Sequence, residues 1–214
     1  MMGLFVTLEG GEGAGKSTLL AGLMARCAQN GIDVTETREP GGTPLAEQIR
    51  ALVLNPPESQ VISPLAEALM LNAARQDHLE KRIRPALASG RMVICDRFSD
   101  STRAYQGAMG GVSPGLLRSL ESSVLGETRP DLTLILDADP EALVERRKAR
   151  GGALDAFEAR PLSFHTAVRD AFVEIAGEDP DRCIMLNALR TPERLLDEAW
   201  AAILDKQKAK TRHV

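Results

Sequence analysis

The chain is short of several things, and each shortage narrows what it can be. It has no excess of positive charge: 26 Lys and Arg stand against 30 Asp and Glu, for a formal charge of −4 and a pI near 5.5. That balance gives no reason to expect a nucleic-acid polymer as partner. Cysteine is scarce and odd in number, with Cys27, Cys95 and Cys183 far apart in apolar segments. A disulfide framework or zinc site is therefore not expected, and a reducing cytoplasm is the natural compartment. No stretch approaches the ~20 apolar residues of a membrane helix, so no membrane partner is expected. The N-terminus leads directly into a strand-like run, with no basic region and apolar segment of the signal type. Internal repeats and low-complexity linkers are absent. The three histidines, His78, His165 and His213, have no metal-ligand spacing.

What is present is organised around one stretch. Gly10-Gly11-Glu12-Gly13-Ala14-Gly15-Lys16-Ser17-Thr18 fits G-x-x-x-x-G-K-[ST], a phosphate-binding loop. Its glycines let the backbone curl so that successive N–H groups face phosphate oxygens. A helix starting near Lys16 aims its positive end at the same anion. Lys16 reaches terminal phosphates, and the Ser17 hydroxyl suits Mg²⁺. Leu4–Leu8 supplies a buried strand before the loop, and Leu19, Leu20, Leu23 and Met24 an apolar helical face after it.

Five strand-like runs recur between helical patterns: Leu4–Leu8, Asp33–Thr37, Met92–Cys95, Leu132–Leu136 and Cys183–Leu186. This alternation predicts an α/β three-layer sandwich, a five-stranded parallel sheet with helices on both faces, of the P-loop NTPase kind. One domain over 1–214 is expected, with a lid segment around 146–158 and a disordered basic tail over 206–214. Thr43-Pro44, Ser63-Pro64, Ser113-Pro114, Asp139-Pro140 and Thr191-Pro192 each place a capping side chain before a first-turn proline. Between Ser63 and Ala88 one long helix or two joined ones are expected. Its face of Ala66, Leu69, Met70, Ala73, Ala74 and Leu79 serves the core, a dimer surface, or both. Trp200 belongs to a core face with Leu195, Leu196, Ala199 and Ile203.

Open parallel sheets bind ligands at the carboxyl ends of their strands. That rule picks out Arg38-Glu39-Pro40-Gly41-Gly42-Thr43, Asp96-Arg97, Ser101 through Gln106, Asp137 and Asn187. Asp96 suits a Mg²⁺ ligand at a strand end or, alternatively, a helix cap. Arg97 suits the two-pronged binding of an acceptor phosphate or a surface ion pair. Arg146-Arg147-Lys148-Ala149-Arg150-Gly151-Gly152 reads either as cations favouring a helix end or as a closing lid that carries Arg150 to a transferring phosphoryl group.

Together these motifs resemble the bacterial thymidylate kinases along nearly the whole chain. The likeness rests on Phe5-Val6-Thr7-Leu8-Glu9-Gly10 with Glu12 in the loop, and on Thr37-Arg38-Glu39-Pro40-Gly41-Gly42-Thr43. It extends through Ala73-Ala74-Arg75, Asp96-Arg97, Ala104-Tyr105-Gln106-Gly107, Arg129-Pro130-Asp131 and Lys148-Ala149-Arg150-Gly151. The resemblance implies ATP held by residues 10–18 with Mg²⁺ on Ser17 and Asp96, and dTMP as acceptor. It implies Glu12 near the deoxyribose 3′-hydroxyl, and Arg97, with Arg38, on the 5′-phosphate. Arg75 is implied on a thymine carbonyl, Thr102 and Gln106 along the thymine edge, Tyr105 beside the sugar, and Ser101 among the substrate-binding residues. Lys16, Arg97 and Arg150 are then the catalytic cations, and a homodimer is expected. Three positions depart from the family pattern: Leu71 stands where an aromatic usually stacks on thymine, Phe98 where Tyr or His often follows Asp-Arg, and Ala156 where the lid often has a second cation. A kinase for another nucleoside monophosphate is the nearest rival. A GTPase-like switch would need Asp-x-x-Gly and Asn-Lys-x-Asp, and neither string occurs.

Overall fold

A computed structural model of the chain describes residues 3–57, 61–107, 111–151 and 155–212, and of Arg150 the backbone alone. Strand β1 (Phe5–Gly10) is buried at every position, as a strand covered on both faces must be. It lies at the centre of a five-stranded parallel sheet of order β2-β3-β1-β4-β5. The partners are β2 (Val34–Arg38), β3 (Met92–Asp96), β4 (Leu132–Asp137) and β5 (Cys183–Asn187). Each strand runs one or two residues past its predicted apolar run, because the backbone ladder continues whatever the side chain. The polar ends therefore fall in register, with Arg38 opposite Asp96 and Asp137 opposite Asn187.

Helices cover both faces. On one side α1 (Lys16–Gln29) and α9 (Pro192–Arg212) bury Leu19, Leu23, Trp200 and Ile203 against Val6, Leu8, Ile94 and Leu134. On the other, Phe5, Val93 and Cys95 meet Leu79, Ile83 and Phe98, while Ile135 meets Phe164 and Phe172 of α8 (Leu162–Glu178). The five predicted caps all form. Backbone N–H groups of Ala46, Ala66, Leu116, Glu141 and Arg194 donate to the side chains of Thr43, Ser63, Ser113, Asp139 and Thr191. They open α2 (Pro44–Leu54), α3 (Pro64–His78), α6 (Pro114–Leu125), α7 (Pro140–Arg150) and α9.

Helix α3 continues through a π turn (Leu79–Ile83) into α4 (Arg84–Ala88), so the 63–88 stretch is one joined rod. Its apolar face divides. Ala74 and Leu79 are core, whereas Leu65 and Leu69 are 43% and 49% exposed and Ala73 is also exposed.

The expected disordered tail is a correction: α9 runs to Arg212. Lys210 explains it, since its ammonium donates to Asp131 Oδ2 at 2.6 Å and to Gly3 O at 2.9 Å. Lysine at the end of a helix also suits the dipole there. Replacing Lys210 by Ala should speed hydrogen exchange at amides 206–212 while β1 and β4 keep their protection. Unchanged exchange in those last two turns or so would show that the pair does not hold the terminus.

Candidate active site

The loop between β1 and α1 is shaped by glycine where no other residue fits. Gly13 and Gly15 have φ of 84° and 98°. A Cβ on Gly10 would lie 2.4 Å from Leu136 O on the neighbouring strand. Lys16 folds back over the loop and donates to Gly10 O at 3.1 Å and Gly11 O at 3.0 Å. Burial and the nearby Arg97 push its pKa down, and Glu12, Asp96 and Glu9 counter them.

Arg97, one residue beyond β3, has a left-handed backbone with φ of 68°. Such a conformation costs a non-glycine residue on the order of 1–3 kcal/mol and persists only where neighbours enforce it. Glu9 does the enforcing. Its Oε1 accepts from the backbone N–H of Phe98 at 2.8 Å and of Ser101 at 3.2 Å, and its Oε2 from Ser101 Oγ at 2.6 Å. These bonds fix the short helix α5 (Ser99–Thr102) and turn the Arg97 side chain toward the loop. There Arg97 donates to Gly10 O at 3.0 Å, Ser101 Oγ at 3.1 Å and Glu12 Oε1 at 2.6 Å, and sits 5.0 Å from the centre of the Tyr105 ring. Tyr105 also donates its hydroxyl to Glu12 Oε1 at 3.1 Å. Burial alone would raise the Glu12 pKa. Arg97, then Lys16, Tyr105 and Arg147, override it and hold the group at about 2.

Two cavities meet at the Glu12–Arg97 pair. The larger, about 430 Å³, is lined by residues of the phosphate loop, Ser17, Thr18, Asp96, Arg38, Arg50, Arg146 and Arg147. Its six cations (Lys16 and five Arg) outnumber three carboxylates, so it is an anion site. Asp96 Oδ1 is buried there without a hydrogen-bond partner among the described residues. The smaller, about 110 Å³, lies between Leu71, Phe98, Tyr105 and Phe157, with Arg75, Ser101, Thr102 and Gln106 among its polar lining and Glu12, Glu39, Arg50, Arg97 and Asp155 as its further charged groups. Arg75 is fixed by Glu39 Oε2 at 2.7 Å, Asn72 Oδ1 at 3.2 Å, Phe98 O at 3.2 Å and Thr102 Oγ1 at 2.9 Å. Glu39 in turn meets His78 Nδ1 at 3.0 Å, and His78 Nε2 meets Thr37 Oγ1 at 2.7 Å.

Most of the residues singled out in the sequence thus converge on these cavities. Arg38 lines the larger one together with Arg97, and its guanidinium pairs with Glu47 at 3.1 Å. The Arg150 side chain, with Gly152 and Leu154, lies outside the described residues. Arg147, one turn earlier on α7, donates to Glu12 O at 2.8 Å, and Arg146 to Ala188 O at 2.8 Å. Asp155 Oδ1 accepts from the N–H groups of Phe157 and Glu158, and the Phe157 ring packs edge-on to Tyr105 at 5.6 Å. Sequence reasoning gave no role to Glu9 or Arg50, set His78 aside, and gave Glu39 and Arg147 no part of their own within the segments it picked out. Arg50 bridges both cavities and donates to Pro40 O at 2.9 Å. The one available signal was spacing, since Arg147 lies three residues before Arg150 on the same helix face.

A parallel sheet whose phosphate loop shares its acid with a second, base-sized cavity defines a P-loop phosphotransferase that brings two ligands together. The comparisons with known proteins sharpen that class. The family model described as thymidylate kinase matches residues 8–199. Thymidylate kinase of Caulobacter vibrioides is 50% identical over 203 residues, covering 95% of both chains. That of Pseudomonas entomophila is 49% identical, covering 96% of this chain and 99% of its own. A crystal structure of thymidylate kinase from Ehrlichia chaffeensis matches with a TM-score of 0.75 at 32% identity, over 95% of this chain and 99% of that one. The chain belongs to the thymidylate kinase family.

Burial and Asp100 raise the Glu9 pKa from 4.5 to about 7, against the opposing pull of Arg97 and its hydrogen bonds. The folded state then binds this proton more tightly than the unfolded one, so the group's contribution to stability falls as pH rises from about 4.5 to about 7. Glu9→Gln removes that dependence. In urea unfolding, the stability of Glu9→Gln relative to wild type should climb between pH 5 and 7, and a flat difference would contradict the assignment.

Proposed function

We propose that this chain transfers the γ-phosphoryl group of ATP to the 5′-phosphate of dTMP, giving dTDP and ADP, within a single catalytic domain. The observation that carries the reading is the junction of the two cavities. The anion cavity above the loop suits a triphosphate, and the smaller one offers apolar walls and a polar end suited to a pyrimidine. The two phosphates then meet beside Lys16 and Arg97.

In the transfer, an acceptor phosphate oxygen forms the new bond to the γ-phosphorus as its bond to the ADP oxygen breaks. The acceptor is already largely ionised at neutral pH, so no general base is needed. The protein's task is alignment and charge neutralisation. Loop amides and Lys16 hold the donor phosphates. Arg97 donates to Glu12 with one Nη2 hydrogen and holds its guanidinium at the junction of the cavities, where the acceptor phosphate would sit. Arg50 and Arg147 add positive charge on either side, and Arg150 is the lid cation. Tyr105 beside Glu12 occupies the sugar end, with Glu12 toward the 3′-hydroxyl. Arg75 and Gln106 face the base, with Ser101 and Thr102 along its edge. Leu71 gives apolar contact there without stacking.

Ser17 and Asp96, whose Oδ1 has no hydrogen-bond partner among the described residues, fit Mg²⁺, a hard cation that takes oxygen ligands. Among the described residues no cluster of three or more His, Cys, Asp or Glu forms a metal cage. That suits an ion held largely by nucleotide phosphates, where it would offset their charge. A homodimer is proposed through the exposed Leu65, Leu69 and Ala73 stripe of α3, apolar surface that a partner would cover. Free Cys27, Cys95 and Cys183 and an ATP-dependent activity fit the cytoplasm. Among the described residues no helix is long and apolar enough to cross a membrane.

Purified protein with ATP and Mg²⁺ should release ADP with dTMP faster than with dCMP, dGMP or AMP. Lys16→Ala should abolish turnover, and Arg150→Ala should lower kcat by about 10²–10³-fold. A chain that leaves dTMP unchanged contradicts the proposal, and an Arg150→Ala variant with wild-type kcat removes that arginine from it. Leu69→Arg should convert a dimer into monomers by sedimentation equilibrium, whereas an unchanged mass would place the interface elsewhere.

A further inference from the structure

Gln106 presents two different ends, and which end faces the base decides what base fits. A side-chain amide offers a carbonyl acceptor on one side and an NH₂ donor on the other, and nothing in the amide itself selects between them. The selection here comes from Glu67, which does not line the cavity. Glu67 lies on α3, only 6% exposed, and its Oε2 is 3.0 Å from Gln106 Nε2. A carboxylate accepts and cannot donate, so the amide nitrogen must turn toward Glu67 and the carbonyl must turn away. Gln106 Oε1 is accordingly buried and unpartnered among the described residues, in a residue that lines the small cavity. The second carboxylate oxygen, Oε1, accepts from Arg160 Nη2 at 3.3 Å. That guanidinium also lies over the Phe157 and Phe164 rings, 5.9 and 5.2 Å from their centres.

The other reader is fixed just as firmly. Arg75 uses Nε on Glu39, both Nη2 hydrogens on Phe98 O and Thr102 Oγ1, and one Nη1 hydrogen on Asn72. One Nη1 donor is left. The cavity thus offers an acceptor at Gln106 and a donor at Arg75. That pair complements an imide, which has a ring N–H beside a carbonyl, as in thymine and uracil. Cytosine carries a bare ring nitrogen and an exocyclic amine at the same places, and mismatches both.

Resting on the dTMP reading above, we infer that Glu67 is the positioning residue that makes the site select imide bases. It acts through Gln106 and does not touch the nucleotide. Arg160 makes the inference sharp. In Glu67→Gln the new amide must turn its oxygen to the Arg160 donor, which leaves its NH₂ facing Gln106. Gln106 must then flip, presenting its own NH₂ to the cavity.

The test is kcat/KM for dTMP, dUMP and dCMP, with dissociation constants where turnover is too slow to follow. Glu67→Gln should lower the dTMP/dCMP ratio by about tenfold or more, the worth of one hydrogen bond made or reversed. The loss should fall on KM for dTMP more than on kcat. The dTMP/dUMP ratio should stay as in wild type, because both bases are imides. Arg160→Ala leaves Glu67 an acceptor and should keep the dTMP/dCMP ratio. Equal losses on all three nucleotides, or an unchanged dTMP/dCMP ratio in a variant with wild-type melting temperature, would overturn the inference. Nuclear magnetic resonance of the wild-type Gln106 side-chain amide gives a readout independent of any variant. Its NH₂ should be protected from exchange without nucleotide and equally with dTMP, and protection gained only on binding would overturn the assignment. A wild-type chain inert toward both dTMP and dUMP overturns instead the reading beneath it.

Discussion

The pairing of Glu12 with Arg97 is the contact on which the site depends. One comes from the phosphate loop after β1, the other from the tip of β3, and they meet at 2.6 Å. Both side chains are largely removed from water, so separating them would leave two poorly solvated charges. The pair therefore locks the loop to the neighbouring strand end. It also sets the boundary between the two cavities, since Glu12 and Arg97 line both. The strained backbone at Arg97 makes sense in this light: the left-handed turn aims the guanidinium back across the sheet edge, and Glu9 beneath holds it there.

The sheet order explains why these groups converge. With β1 central and β3 and β4 on either side, the loop after β1 is flanked by the ends of both neighbours. Asp96 and Arg97 arrive from β3, while α7, which follows β4, brings Arg147 onto the loop backbone. Each flank thus supplies charge to one point without long connections.

Much of this was legible in the sequence, for physical reasons. Buried parallel strands are apolar on both faces, so their runs stand out, and Ser/Thr/Asp-Pro pairs mark helix starts because capping and fixed φ both act locally. The phosphate loop is legible because its glycines answer a backbone requirement. What stayed hidden depends on contacts between distant segments. Glu9 looks like one more residue in an apolar strand until the loop 92 positions later folds over it. His78 looks like a polar helical residue, yet it is fully buried between Thr37 and Glu39. The terminal helix outlasted its apolar pattern because of one ion pair to Asp131, which no local rule could supply.

The segment Arg103–Gly107 winds as a π turn directly after α5, and Ala104, Tyr105 and Gln106 are all buried there. An α-helix turns each residue about 100° from the last, so three neighbours in a row seldom share a buried environment. The wider coil spreads them across different partners: Tyr105 toward the acid of the phosphate loop, and Gln106 toward Glu67. Such a coil holds one residue more than an ordinary turn would. That surplus is what lets a single short helix reach the phosphate-loop acid and Glu67 at once, so trimming it back to regular winding would preserve the helix and lose one of the two contacts.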